Sequence, residues 1–151
     1  MKSKNINLGP VARLINLHTQ HVSPYYQNFK GLNLIIFPDV FNPAFTNVTR
    51  LLADNLKINQ NDFVLDMFCG SGALGLLASS NSVRVIGVDI SAKAIKCAKA
   101  NAEKMGLSNK TEFRHASLWK GVKKDEKFDL IIANPPLLPA VPETMFERSF
   151  A

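Results

Sequence analysis

The stretch Val64-Leu65-Asp66-Met67-Phe68-Cys69-Gly70-Ser71-Gly72-Ala73-Leu74-Gly75 limits what this chain can fold into more than any other. An apolar run closes on an acid, passes into a glycine-rich turn and continues with helical spacing. That is the order of a strand delivering a ligand-binding loop to the carboxyl edge of a parallel sheet. Gly70, Gly72 and Gly75 also fit G-x-G-x-x-G, in which the backbone approaches a nucleotide-like cofactor closely. Asp66 narrows the ligand. A carboxylate at the strand tip repels a pyrophosphate, whereas it suits the ammonium and sulfonium of S-adenosylmethionine. An NAD-type oxidoreductase therefore remains only as a minor alternative.

The pattern on either side supplies the rest of such a sheet. Apolar and β-branched runs at residues 32–37, 63–67, 83–88, 111–115 and 128–133 predict strands. Between them, residues 72–79 and 91–105 predict helices, the second capped by Ser91, ended by Gly106 and striped with Ala94, Ile95, Ala98, Ala102 and Met105. A helix capped by Thr46 or Asn47 precedes the first central strand, and Val11, Leu14, Ile15 and Leu17 mark a short amphipathic helix near the N-terminus. Strands alternating with helices imply a Rossmann-like, doubly wound, mainly parallel α/β sheet with right-handed crossovers. The division expected is an N-terminal extension over 1–36 and a cofactor-binding core over 37–151. The sheet ends after its fourth strand, so the expectation is a piece of a longer protein, or a homo-oligomer or partner chain that covers the open edge.

A chain of 151 residues is long enough for one domain with a real core. No apolar run approaches the roughly 20 residues of a membrane span, and the polar N-terminus carries no signal-like apolar region, so a cytoplasmic location without membrane contact is expected. The net charge of +6 is compatible with an RNA partner and equally with simple solubility. Cys69 and Cys97 have neither disulfide nor metal spacing and read as packing residues. His18 and His21 lack acidic or cysteine companions and read as solvated, so no metal is expected. Residues 120–127 read as a solvated charged loop, and Trp119 as core.

Three further positions carry chemistry. Asp89 ends the second strand 19 residues beyond Gly70, where a carboxylate accepts hydrogen bonds from both ribose hydroxyls of an adenosine. Ile90 beside it would wall the adenine, and Ser117 after the third strand would reach the adenine edge. The fourth strand delivers Asn134-Pro135-Pro136-Leu137. The Asn134 side-chain oxygen and the Pro135 carbonyl can accept both hydrogens of a planar –NH₂ group, and proline presents carbonyls because it lacks an N–H. Holding those hydrogens aims the nitrogen lone pair at a methyl group.

Together, Asp66-Met67-Phe68-Cys69-Gly70-Ser71-Gly72, Gly87-Val88-Asp89-Ile90 and residues 128–136 resemble the class I S-adenosylmethionine-dependent methyltransferases, in the branch with an Asn-Pro-Pro-aromatic motif. Residues 37–43 are similar to the element preceding the core in HemK-type enzymes, which helps cover the cofactor. The resemblance implies cofactor binding by Asp66, Phe68, Cys69, Gly70, Ser71, Gly72, Asp89, Ile90, Ser117 and Asn134. It implies Asn134, Pro135 and Pro136 as the catalytic turn and Phe41, Asn134, Pro135 and Leu137 against the substrate, with Thr46 nearby. The activity implied is N-methylation of an amide or amino nitrogen, with a protein glutamine favoured. The alternatives are an adenine N6 or guanine N2 of DNA or of ribosomal or transfer RNA, or an inactive cofactor-binding subunit. Leu137 replaces the branch's aromatic, and Ser117 stands where an acid is often found.

Overall fold

The computed structural model describes residues 9–82 and 84–136. Helix α1 (Gly9–Thr19) is followed by strands β1 (Tyr25–Phe29) and β2 (Leu32–Ile36), the 3₁₀ turn Pro43–Phe45 and helix α2 (Asn47–Asn55). The alternating part comprises β3 (Phe63–Met67), α3 (Ala73–Ser79), β4 (Arg84–Asp89), α4 (Ala92–Lys104), β5 (Thr111–His115), a second 3₁₀ turn (Leu118–Gly121) and β6 (Leu130–Ala133). The four later strands form one parallel sheet in the order β5-β4-β3-β6. This is the mixed α/β, Rossmann-like arrangement that the alternating pattern predicts, with β6 two residues shorter than its apolar run. No helix among the described residues is long and apolar enough to cross a membrane.

The central strand has no solvent-facing side. Val64 and Leu65 of β3 are fully buried, as are Val85 and Ile86 of β4: Val64 and Val85 pack with Leu74 and Ala78 of α3, and Leu65 and Ile86 with Ala116, Val122 and Phe128 from the segments after β5. Helix α4 packs through small residues: Ala94, Cys97, Ala98 and Ala102 are all buried. Ser91 caps it by accepting from the Ala94 N–H at 3.2 Å, and Gly106 leaves it with φ 68°. At the far side β6 is the edge strand among the described residues, and its Ile131 is half exposed.

Before the sheet stands a hairpin that periodicity reveals only by half. The expected strand over 32–37 is present, but β1 pairs with it antiparallel through a two-residue turn at Lys30 (φ 52°) and Gly31 (φ 84°). Two positive φ values give the primed turn that matches strand twist. Lysine at the first of those positions is a poor sequence signal for it. The hairpin is part of the main core: Phe29, Leu34 and Ile36 pack in one cluster with Cys69, Ala73, Leu76 and Ala98.

Its attachment depends on Asn101 of α4, which is completely buried. The Asn101 Oδ1 accepts from the Ile35 N–H at 2.7 Å, and its Nδ2 donates to the Ile35 carbonyl at 2.9 Å. One side-chain amide thus pairs with the free edge of β2 as a neighbouring strand would. The same Nδ2 donates to the Ser71 carbonyl at 3.0 Å, tying the hairpin to the glycine loop.

Four sequence expectations are corrected here. His18 is not solvated: it is 4 % exposed, its Nδ1 bonds the Leu14 carbonyl at 2.8 Å, and its Nε2 accepts from the Asn42 N–H at 2.8 Å. A ring that must both donate and accept is neutral, and burial holds its pKa below the ordinary histidine value. Residues 120–127 are not simply solvated. Arg114 reaches from β5 to Glu126 through two bonds of 2.7 and 2.8 Å and to the Gly121 carbonyl at 2.8 Å, and this pairing pushes the Glu126 carboxyl down to about 2. Trp119 is 60 % exposed instead of core, because the short turn that carries it buries Gly121 in its place. The 128–133 strand begins only at Leu130, since Asp129 closes the preceding turn: its N–H donates to the Phe63 carbonyl and its carboxylate accepts from the Phe63 N–H.

Candidate active site

All four parallel strands end on the same side, so the residues following β3, β4 and β6 meet at one edge. Register brings Asp66 level with Gly87 on one neighbour and with Ile132 on the other. Asp66 therefore sits two residues inside the edge that Asp89 and Asn134 terminate.

The loop after β3 turns sharply through Phe68 (φ 63°), Gly70 (φ 53°) and Gly72 (φ 82°). A positive φ at a non-glycine residue such as Phe68 is sparsely populated, and strain of this kind gathers at functional sites. Gly72 is required twice over. Its φ disfavours a side chain, and a Cβ there would lie 3.0 Å from Ala98 Cβ and 3.1 Å from Phe113 Cζ. Gly75 permits a close approach of α3 to β3. Its N–H donates to Asp66 Oδ2 at 2.8 Å, and a Cβ would lie 2.9 Å from that oxygen.

Asp66 is 1 % exposed, and burial pushes its carboxyl up to about 7 despite the Gly75 bond, with Asp89 adding repulsion. Oδ2 is engaged by Gly75, and Oδ1 has no partner among the described residues. Asp89 has both oxygens oriented by backbone: Oδ2 accepts from the Gly70 N–H at 2.9 Å and Oδ1 from the Ser91 N–H at 2.8 Å. Each oxygen keeps a lone pair for a further donor. Burial raises the Asp89 carboxyl too, against the pull of those two bonds.

These groups border a cavity of about 280 Å³. Of the positions singled out in the sequence, Phe41, Asp66, Phe68, Cys69, Gly70, Ser71, Asp89, Ile90, Asn134, Pro135 and Pro136 line it. Gly72 lies buried behind the loop, and Ser117 is exposed at the start of the second 3₁₀ turn; neither is among the lining residues. Leu137 lies outside the described residues. The expected packing role of Cys69 and Cys97 agrees with their burial, which pushes both thiols up.

Periodicity alone did not place Leu14, Val48 and Thr49 on the wall. Thr49, on the first turn of α2, is 3 % exposed and accepts a 3.1 Å bond from Asn134 Nδ2. That bond spans 85 residues of sequence, and no local pattern announces it. The site therefore offers an inward carboxylate, a second carboxylate with spare acceptor capacity, apolar walls from Phe41 and Ile90, and a side-chain amide anchored at one end. This set fits a ligand with a cation, a diol and an aromatic ring.

Comparisons with known proteins agree with that geometry. The family described as the methyltransferase small domain matches residues 32–146. A release factor glutamine methyltransferase of Borreliella burgdorferi is 38% identical over 117 residues, covering 74% of this chain and 40% of the relative. A 23S rRNA (uracil(747)-C(5))-methyltransferase of Shewanella halifaxensis is 42% identical over 147 residues, covering 90% of this chain and 39% of the relative. The chain thus spans about two fifths of the length of these curated relatives. Among solved structures, Methanocaldococcus jannaschii Trm5 in complex with adenosine superposes with a TM-score of 0.63 at 22% identity, over 78% of this chain and 36% of that one, a likeness of fold. The chain belongs to the methyltransferase small domain family and has the fold of class I S-adenosylmethionine-dependent methyltransferases.

Proposed function

We propose that this protein transfers a methyl group from S-adenosylmethionine to an amide or amino nitrogen, and that the nitrogen belongs to a protein glutamine. One observation carries the reading: Asn134 is anchored through its Nδ2, which leaves Oδ1 without a partner among the described residues, on a side chain that lines the cavity. An oxygen so held and the carbonyl of Pro135, which also lines the cavity, would accept the two hydrogens of an –NH₂ group. The amide nitrogen's lone pair is delocalised, so fixing those hydrogens favours pyramidalisation and stabilises charge as it develops on nitrogen.

The cofactor would supply a methyl carbon on a sulfonium, which leaves as a neutral thioether, and the methylated nitrogen would give up one of its two hydrogens as a proton to solvent. Asp66 receives its ammonium, Asp89 its ribose hydroxyls and Ile90 one face of its adenine, while the backbone at Phe68, Cys69, Gly70 and Ser71 closes around it and Gly72 keeps the turn. Pro136 fixes the exit of the chain, and Phe41 covers the acceptor side. Ser117, which does not line the cavity, is given no role in this reading.

Carbon methylation of uracil, the reaction named for the Shewanella relative, makes different demands. C5 carries no hydrogen-bonding –NH₂, and its activation needs a nucleophile adding to C6. Within this chain both thiols are buried with raised pKa values, unlike a reactive thiolate. The Borreliella relative and the position of Asp39, Val40, Phe41 and Pro43 along the cavity support the choice of a glutamine acceptor.

The test is methyl transfer from labelled S-adenosylmethionine into separated protein and RNA fractions. Label at glutamine in the protein fraction is expected. Label only in RNA overturns the glutamine acceptor, and cofactor binding without transfer to any fraction overturns independent activity in favour of a cofactor-binding subunit.

A pH dependence follows from Asp66. With its carboxyl at about 7, the group is partly protonated at neutral pH, and a bound ammonium favours the ionised form. Affinity for S-adenosylhomocysteine is therefore expected to rise between pH 6 and 8 and to level off above the Asp66 pKa. Calorimetric titration across that range measures it, and a flat profile removes Asp66 as the ammonium's partner.

A further inference from the structure

Asn134 is held by two threonines that act as a unit. Its Nδ2 donates to Thr49 Oγ1 at 3.1 Å, and Thr49 Oγ1 lies 3.0 Å from Thr46 Oγ1. Thr49 is buried, and its hydroxyl has no other partner among the described residues. A hydroxyl carries one proton and two acceptor lone pairs. While a Thr49 lone pair takes the Asn134 N–H, its proton has one acceptor within reach, Thr46 Oγ1. Without Thr46, that proton would go to Asn134 Oδ1 and turn the amide over, presenting Nδ2 to the cavity. A donor there would face the hydrogens of the acceptor nitrogen.

We propose that Thr49 is a positioning residue which, with Thr46 taking its proton, keeps the carbonyl oxygen of Asn134 on the cavity side. The inference rests on the reading of Asn134 as the group that accepts the substrate's N–H hydrogens. Thr49 itself touches neither the methyl donor nor the acceptor in this account. It decides which end of an otherwise symmetric-looking amide the acceptor meets, and α2 thereby controls a turn that follows β6. Both threonines sit at the start of α2, Thr46 at its N-cap and Thr49 within the first turn. The cap side chain makes no bond to a backbone N–H of the helix, which leaves its hydroxyl for that of Thr49.

Thr49→Val keeps the side-chain shape and removes the hydroxyl; Thr49→Ser keeps the hydroxyl and removes a methyl. Both are compared with the parent chain in methyl transfer to the fraction labelled above and in calorimetric binding of S-adenosylhomocysteine. Thr49→Val is expected to lower kcat by about 10- to 100-fold, the scale of a misplaced catalytic group, with cofactor affinity held within about twofold. Thr49→Ser is expected to recover most of that loss. A second readout needs no turnover: the Asn134 side-chain amide, identified in nitrogen-15 spectra by its absence in Asn134→Ala, is expected to be protected from solvent exchange in the parent and in Thr49→Ser but not in Thr49→Val. Equal protection in Thr49→Val, or a serine variant as impaired as the valine one, overturns the proposal. If Asn134→Ala transfers methyl normally, the reading of Asn134 falls and Thr49 has no catalytic consequence, whereas the exchange measurement still reports whether Thr49 holds the amide.

Discussion

Asn134→Ala is expected to lower methyl transfer by about 10²- to 10³-fold while leaving S-adenosylhomocysteine affinity within about twofold, the signature of losing one preorganised hydrogen-bonding group at the reacting centre. The asymmetry follows from the site. Asp66, Asp89 and the glycine loop reach the cavity from β3 and β4, whereas Asn134 arrives from β6 and bonds only to Thr49 among the described residues. Removing its amide leaves the cofactor side intact. Single-turnover transfer with labelled cofactor, beside calorimetry, separates the two effects. A variant with parental turnover places the acceptor elsewhere, and a variant that loses both binding and transfer makes Asn134 a structural residue.

Asn101→Ala is expected to destabilise the fold by about 3 kcal/mol. The Ile35 N–H loses its partner, and the Ile35 and Ser71 carbonyls each lose a donor. A buried polar group left unpaired costs about 1–3 kcal/mol. Urea unfolding measures this as a lower midpoint at unchanged slope. Asn101→Asp retains the acceptor for Ile35 but neither donated bond, and is expected to be damaged as well. Because Nδ2 also holds Ser71, both variants are expected to bind S-adenosylhomocysteine more weakly, which separates this residue from one that merely fills α4. A midpoint within error of the parent contradicts the role assigned to Asn101.

Much of the candidate site was legible from the chain alone for a simple reason. Asp66, Asp89 and Asn134 each lie at or near the end of an apolar run, and parallel strands joined by right-handed crossovers must bring such ends to one edge. Counting along three strands therefore places three polar groups together without any contact being known. The glycine pattern did the same for the loop. Gly75 was legible as a match to a spacing, and the structure adds its reason, the 2.8 Å approach of its N–H to Asp66.

What escaped the sequence consists of side chains whose partners are remote. Asn101 lies on a helix stripe like any other, and its two bonds to Ile35 span 66 residues. His18 looked like a surface histidine because no acidic or cysteine companion lies near it in sequence; Asn42, 24 residues on, makes it a buried neutral acceptor. Trp119 looked like core because it is large and aromatic, yet the turn it occupies points it to solvent.

Taken alone, then, the amino-acid sequence determined the strand-and-helix alternation, the edge at which the cavity opens and the three polar groups that meet there, since each depends on local period and on connection rules that hold for all such sheets. Only the tertiary structure decided which way the Asn134 amide faces, that β2 has its free edge satisfied by Asn101, and that Asp66 is buried enough to titrate near 7. Orientation, pairing and desolvation depend on which distant segment supplies the neighbouring atom, and that neighbour exists only after the chain has packed.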